Sequence, residues 1–334
     1  MKTMLHTFKF WFRNARPQSL PQSVMPAILA VFLAYPYAGF SVFLGILGVL
    51  GVIFGHLGLN LFDDYFDYRK KKTDYRDQMQ HKGFRARIGK CLYLNDGSAT
   101  IGHLLVASCA FCAIAVLIGA IILYYRGIGI FYFMIPTAVL GISYSASPFK
   151  FSYRGLGEIL IGIMFGPMTM MGTFYAACGI IDPMIVLISI PVGLLVANIV
   201  YVHSIMDFEP DKEVGKRTLA VLLNNKKGML VALSVILFAP YFIISFGIVS
   251  GYISVYYCLL LLTLPLALYL FYMMREFTVN PDRKFEPRKW MGPMANWDRL
   301  QAIGIDWFMI RWYLARNLLS SFCLIIIVLS IIAK

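Results

Sequence analysis

The chain has 334 residues, of which 59% are hydrophobic, 15% aromatic and only 14% charged, and its formal net charge is +13. Ordinary soluble domains do not reach that apolar fraction, and no polar stretch is long enough to bury a second core, so the composition predicts a single polytopic membrane domain spanning residues 1–334. Of the 30 Lys and Arg residues, 28 fall in one alternating set of loops, which is the positive-inside pattern and excludes a basic face for nucleic acid.

Lys2, Lys9, Arg13 and Arg16 stand among Phe8, Phe10, Trp11 and Phe12. An interfacial helix leading into a first span is expected there, because the apolar run that follows is long for a signal peptide and another run comes soon after. Apolar runs predict spans over residues 19–37, 41–66, 100–124, 128–144, 157–178, 183–205, 228–248, 252–273 and 308–332. That is an all-α bundle of about nine transmembrane helices with a cytoplasmic N-terminus. Residues 19–144 and 157–273 are expected to be two parallel halves, with 308–332 an extra last helix. The six cysteines are scattered, and Cys109 and Cys112 are read as small residues of helix packing rather than a redox or metal pair.

Two acidic stretches interrupt this pattern. Span 2 ends in Asn60-Leu-Phe-Asp-Asp-Tyr-Phe-Asp67, and span 6 ends in His203-Ser-Ile-Met-Asp207-Phe-Glu-Pro-Asp211, running on into Gly215-Lys-Arg-Thr-Leu219. Together they hold 7 of the 17 acidic residues. Carboxylates at a helix C-terminus oppose the helix dipole and repel one another, so helix stability does not account for them. On a helix, Asp63 and Asp64 each share a face with Asp67, and Asp207 and Asp211 repeat the four-residue spacing. Oxygen-only donors suit Mg²⁺, which completes its shell with water and phosphate oxygens, so the two clusters predict a Mg²⁺-held diphosphate. Beside a greasy interior, the matching substrate is an isoprenyl diphosphate whose allylic C–O bond ionises.

These residues resemble the UbiA superfamily of intramembrane prenyltransferases, within it the branch that prenylates 1,4-dihydroxy-2-naphthoate for menaquinone. The likeness rests on Ala15-Arg16-Pro17 with Pro26, the stretch after span 2, Tyr144-Ser-Ala-Ser-Pro148, Tyr153-Arg-Gly-Leu-Gly-Glu158, Gly166-Pro167, and the block from Asp207 to Leu219. Asp63 and His203 stand where relatives commonly have Asn, and Met206 where they have Arg. The resemblance implies a central cavity, Mg²⁺ on Asp63, Asp64, Asp67, Asp207 and Asp211, and decarboxylative transfer of a polyprenyl group to the naphthoate. It further implies an enzyme of the inner membrane with its site facing the cytoplasm.

Arg154 and Lys216 are the expected diphosphate contacts, ahead of Arg85, Arg87 and Lys90 in the longest basic loop. His203, one turn before Asp207, is a candidate ligand, diphosphate donor or proton acceptor, and Tyr144 and Tyr153 are candidates for the acceptor pocket. The Trp-rich segment 290–307 is read as an interfacial anchor ahead of the last span. A hydroxybenzoate, homogentisate or tetrapyrrole acceptor is the nearest alternative. From other classes, a transporter and a non-catalytic cation-binding protein compete. Transport is disfavoured because the acidic clusters lie at helix ends rather than at mid-bilayer.

Overall fold

A computed structural model describes residues 2–69, 91–213 and 215–332, and Arg85, Arg87 and Lys90 lie outside them. The chain opens with α1 (Lys2–Asn14) and α2 (Pro21–Ala34). Among the described residues, eight further helices are long and apolar enough to cross a membrane: α3 (Val42–Tyr68), α4 (Ile101–Arg126), α5 (Ile128–Ser145), α6 (Gly157–Cys178), α7 (Pro183–Met206), α8 (Lys226–Val249), α9 (Val255–Val279) and α10 (Asp306–Ile332). The span expected at 19–37 is α2 alone, with 14 residues. At 1.5 Å per residue that is about 21 Å, short of the roughly 30 Å hydrocarbon core. Pro17 lies before it, Pro21 opens it as its first residue, and Pro36 sits just past its end.

The helix ends follow local chemistry. Ser41 caps α3 by accepting the Leu44 N–H at 3.3 Å, and Asp182 caps α7 from just ahead of Pro183, accepting the Met184 N–H at 2.8 Å. Thr100 and His103 form a reciprocal cap on α4. In the bundle, α3 runs along α4, while α2 lies against α3, α6 and α10. Helix α7 touches α2, α6, α8 and α10 and is the most buried span.

Small residues set the closest approach. A Cβ on Gly166 would lie 2.4 Å from the Gly193 Cα, and one on Gly193 would lie 2.5 Å from the Gly162 carbonyl oxygen. Backbone therefore meets backbone between α6 and α7. Pro167 stands inside the wide π-turn Met164–Met168 that interrupts α6 at this contact. Cys112 packs against Gly58 of α3, where an added Cβ would come within 2.5 Å of its sulfur, and among the described residues no disulfide forms.

Two arginines counted above with the loops belong to α10. Arg311 is fully buried, its guanidinium centred 5.1 Å from the Phe277 ring and 5.4 Å from the Phe285 ring. Its Nε donates to the Met273 carbonyl at 3.3 Å and its Nη1 to the Trp307 carbonyl. Arg316 stacks 4.6 Å from the Tyr313 ring. The charge pattern missed this because Phe277 and Phe285 close over Arg311 while the Trp-rich segment folds back along α10 beside Arg316. Asn317 donates to the carbonyls of Met291 (2.9 Å) and Pro293 (3.1 Å), and Tyr313 donates to that of Ala295 (3.2 Å). The segment is thus strapped to the last helix. At its end, Phe308 sets its ring edge-on to His203, centroids 4.9 Å apart.

Candidate active site

The ends of α3, α5 and α7 and the start of α6 converge on one side of the bundle, bringing the first acidic stretch among donors from distant parts of the chain. Asp63 accepts the Ser145 hydroxyl on one oxygen at 2.5 Å and Arg16 on the other at 3.1 Å. Asp64 turns away from its neighbour, as the 100° step between successive helix positions requires. One of its oxygens lies 3.2 Å from Arg16, and the other accepts the buried Tyr93 hydroxyl at 3.3 Å. Asp67, one turn on from Asp63, accepts the Tyr153 hydroxyl at 2.6 Å.

Arg16 reaches this place because α1 lays Trp11 and Ala15 against Leu57, Leu61 and Tyr93. The residue itself takes a left-handed backbone, φ 60, which costs a non-glycine residue about 1 kcal/mol. Its guanidinium also donates to the Asn60 carbonyl at 2.8 Å, and the Asn60 side chain returns a bond to the Ala15 carbonyl at 3.0 Å. Burial works against the charge on Arg16, yet Asp64 and Asp63 outweigh it and hold the group protonated above the ordinary arginine range. Burial, with Asp64 adding to it, pushes the Tyr93 phenol up in turn, so it remains a donor.

The second stretch is built from a helix end and a tight return. Asp207 ends α7 and is 3% exposed, with His203 Nε2 3.1 Å from its Oδ2. The chain continues as the short helix Phe208–Glu213, where the Asp211 N–H donates to the Asp207 carbonyl at 2.8 Å. The Lys216 N–H closes back on the Asp211 carbonyl at 2.8 Å. Glu158 fastens this return to α6: its Oε1 accepts the Ser204 hydroxyl at 2.7 Å and the Leu219 N–H at 3.2 Å.

One loop spans both stretches. Between α5 and α6, Tyr153 binds Asp67 while the next residue, Arg154, pairs by backbone with Arg217 beyond Asp211. Gly155 permits this close fit, with φ +78 and a position where any Cβ would sit 1.9 Å from a Leu222 methyl. The Arg154 side chain, expected on the diphosphate, is exposed and donates to the Pro148 carbonyl at 3.0 Å. Lys216 is half-buried, and Tyr144 lies against Gly157 while its carbonyl accepts the Ser152 hydroxyl at 2.7 Å. Ser145, Tyr93 and the ion-pairing of Arg16 were not foreseen, and no local pattern marks them. Glu158 had a readable signal, a carboxylate at the head of an apolar run.

The donor set fits a hard cation chemically, since Asp63, Asp67, Asp207 and Asp211 offer only oxygen. Among the described residues, however, no three His, Cys, Asp or Glu side chains converge as ready ligands. On the first stretch, protein donors already occupy carboxylate oxygens. A cation there has to share those oxygens or bring its own bridging ligand.

Replacing Tyr153 by Phe removes the hydroxyl that binds Asp67. A bond to a charged partner is worth about 1.5–3 kcal/mol, so turnover is expected to fall roughly tenfold or more with the thermal midpoint nearly unchanged. Initial rates and a melting curve on the same preparation check this.

Three comparisons bear on this geometry. The sequence matches the UbiA prenyltransferase family over residues 23–292. It is 28% identical over 211 residues to a Bacillus subtilis protein named 1,4-dihydroxy-2-naphthoate octaprenyltransferase, a match covering 63% of this chain and 65% of that one, just under two thirds of its length. It is 30% identical over 281 residues to mouse UbiA prenyltransferase domain-containing protein 1, covering 82% and 77% of the two chains. The fold is similar to that of a UbiA homologue from Archaeoglobus fulgidus solved with GPP and Mg²⁺, with TM-score 0.57 at 17% identity over 93% of this chain and 99% of that one.

Proposed function

This chain belongs to the UbiA prenyltransferase family, and from that premise we propose that it transfers a polyprenyl group from its diphosphate to 1,4-dihydroxy-2-naphthoate at a membrane-embedded site. The observation that carries the reading is the single loop whose Tyr153 binds Asp67 and whose Arg154 backbone pairs with Arg217 beyond Asp211. It supports reading the two acidic stretches as parts of one site. The names of the relatives from Bacillus and mouse favour a family substrate over transport, and the Bacillus name favours the naphthoate.

In this reading the donor's allylic C–O bond breaks and its electron pair leaves with the diphosphate. A ring carbon of the acceptor supplies the pair for the new C–C bond, and the carboxyl group departs as CO₂. Mg²⁺, when bound, would neutralise the leaving diphosphate, with Asp63, Asp67, Asp207 and Asp211 as the residues that would hold it. Asp64 we assign to holding Arg16, since its oxygens face Arg16 and Tyr93. Tyr153 and Ser145 fix the orientation of Asp67 and Asp63, and His203 does the same for Asp207. Phe308 and the strapped segment behind it wall the second stretch, which keeps water from an allylic cation.

The test is incubation of protein in lipid with radiolabelled geranylgeranyl diphosphate, Mg²⁺ and 1,4-dihydroxy-2-naphthoate, with an EDTA control. The expected result is a metal-dependent prenylated product lacking the carboxyl mass. Product only with hydroxybenzoate or homogentisate would replace the acceptor. Labelled substrate carried into vesicles without product would replace the whole reading with transport.

A further inference from the structure

We infer that Arg16 is an exchangeable counter-ion of the first acidic stretch, yielding Asp63 when a divalent cation and a diphosphate arrive together and thereby coupling their binding. The inference rests on the proposed function and deepens it, because the site is the same. Arg16 makes three contacts of unequal permanence. The bond to the Asn60 carbonyl is to backbone within α3. Asp64 is 2% exposed and pinned from behind by Tyr93, so it keeps its place. The Asp63 side chain is 21% exposed, and its second oxygen accepts the hydroxyl of Ser145. Asp63 is therefore the contact that can be released while the other two hold the guanidinium nearby.

Charge decides when it is released. Asp63 carries one negative charge, so a divalent cation that takes it alone brings two cations, itself and the Arg16 guanidinium, into competition for one carboxylate at short range. A diphosphate removes that penalty by offering the guanidinium a forked pair of oxygens. A buried donor stands ready for them, because Arg16 Nε has no hydrogen-bond partner among the described residues. Cation and diphosphate then bind well as a pair and poorly apart, and the coupling is reciprocal.

The experiment uses the full chain in lipid nanodiscs with two probes, Mn²⁺ alone followed by electron paramagnetic resonance, and labelled inorganic pyrophosphate retained at saturating Mn²⁺. Arg16→Gln is expected to bind Mn²⁺ alone about tenfold more tightly and to retain pyrophosphate about tenfold more weakly than the wild type. These opposite signs separate a counter-ion from a structural residue, whose loss weakens both. If Arg16→Gln does not fold, Arg16→Lys keeps the charge but loses the fork, so Mn²⁺ alone is expected to bind as in the wild type while pyrophosphate is retained several-fold more weakly. Wild-type binding of both probes, with both weakened or both unchanged in the variants, overturns the counter-ion role and leaves the proposed function standing. Failure of the wild type to bind either probe overturns the proposed function and the inference with it.

Discussion

Asp67→Ala and Asp207→Ala each lower turnover by about a thousandfold or more, while the protein stays folded and inserted. Losing one group that stabilises developing charge in a water-poor site costs on the order of 10²–10³ in rate, and each aspartate is also proposed to hold the metal. Stability should survive because neither carboxylate supports its helix. Both lie at C-terminal ends, where a negative charge opposes the helix dipole. Truncating Asp67 leaves the hydroxyl of a half-buried Tyr153 within reach of water, and truncating Asp207 relieves His203 of its partner. Initial rates beside thermal melts in detergent check the pair. Wild-type turnover in either variant would remove the carboxylates from the chemistry.

Gly166→Ala should do the reverse, costing stability first and activity only with it. The added Cβ would meet the Gly193 Cα at 2.4 Å, the Gly193 nitrogen at 2.7 Å and the Ser189 carbonyl at 2.7 Å, all of them backbone. Helices α6 and α7 would have to separate, and overpacking of this kind costs about 3 kcal/mol or more. Gly119→Ala is the control, because its Cβ would meet only the flexible end of Met134, which can swing aside. A melt lowered by several degrees for Gly166→Ala and barely moved for Gly119→Ala is expected. Equal melts would mean that the α6–α7 contact is softer than its backbone geometry implies.

The spans and the acidic stretches were legible because each is a local pattern, an apolar run of membrane length or carboxylates one helical turn apart. Tyr153 entered through its family-like block as a candidate for the acceptor pocket, whereas its hydroxyl binds Asp67, a pairing across 86 residues that no local pattern marks. What binds Asp63 and Asp64 was not legible. Arg16 is 47 residues from Asp63 and Ser145 is 82, and such pairs exist only once α1 and α5 have docked. Arg154, expected on the diphosphate, pairs by backbone with Arg217 while its side chain donates to the Pro148 carbonyl, a direction that depends on the turn at Gly155. Charge counting assigned Arg311 to a loop because it could not foresee aromatic rings from two other segments closing over a guanidinium inside α10. The shortness of α2 was written in its flanking prolines, which an apolar window averages away.

The most direct test of one site shared by two acidic stretches is equilibrium binding of labelled geranylgeranyl diphosphate to the protein in nanodiscs, with and without Mg²⁺. The account predicts a single saturable class of binding that requires Mg²⁺ and is lost in both Asp67→Ala and Asp207→Ala. Binding that persists in EDTA, or that survives either substitution undiminished, would contradict it.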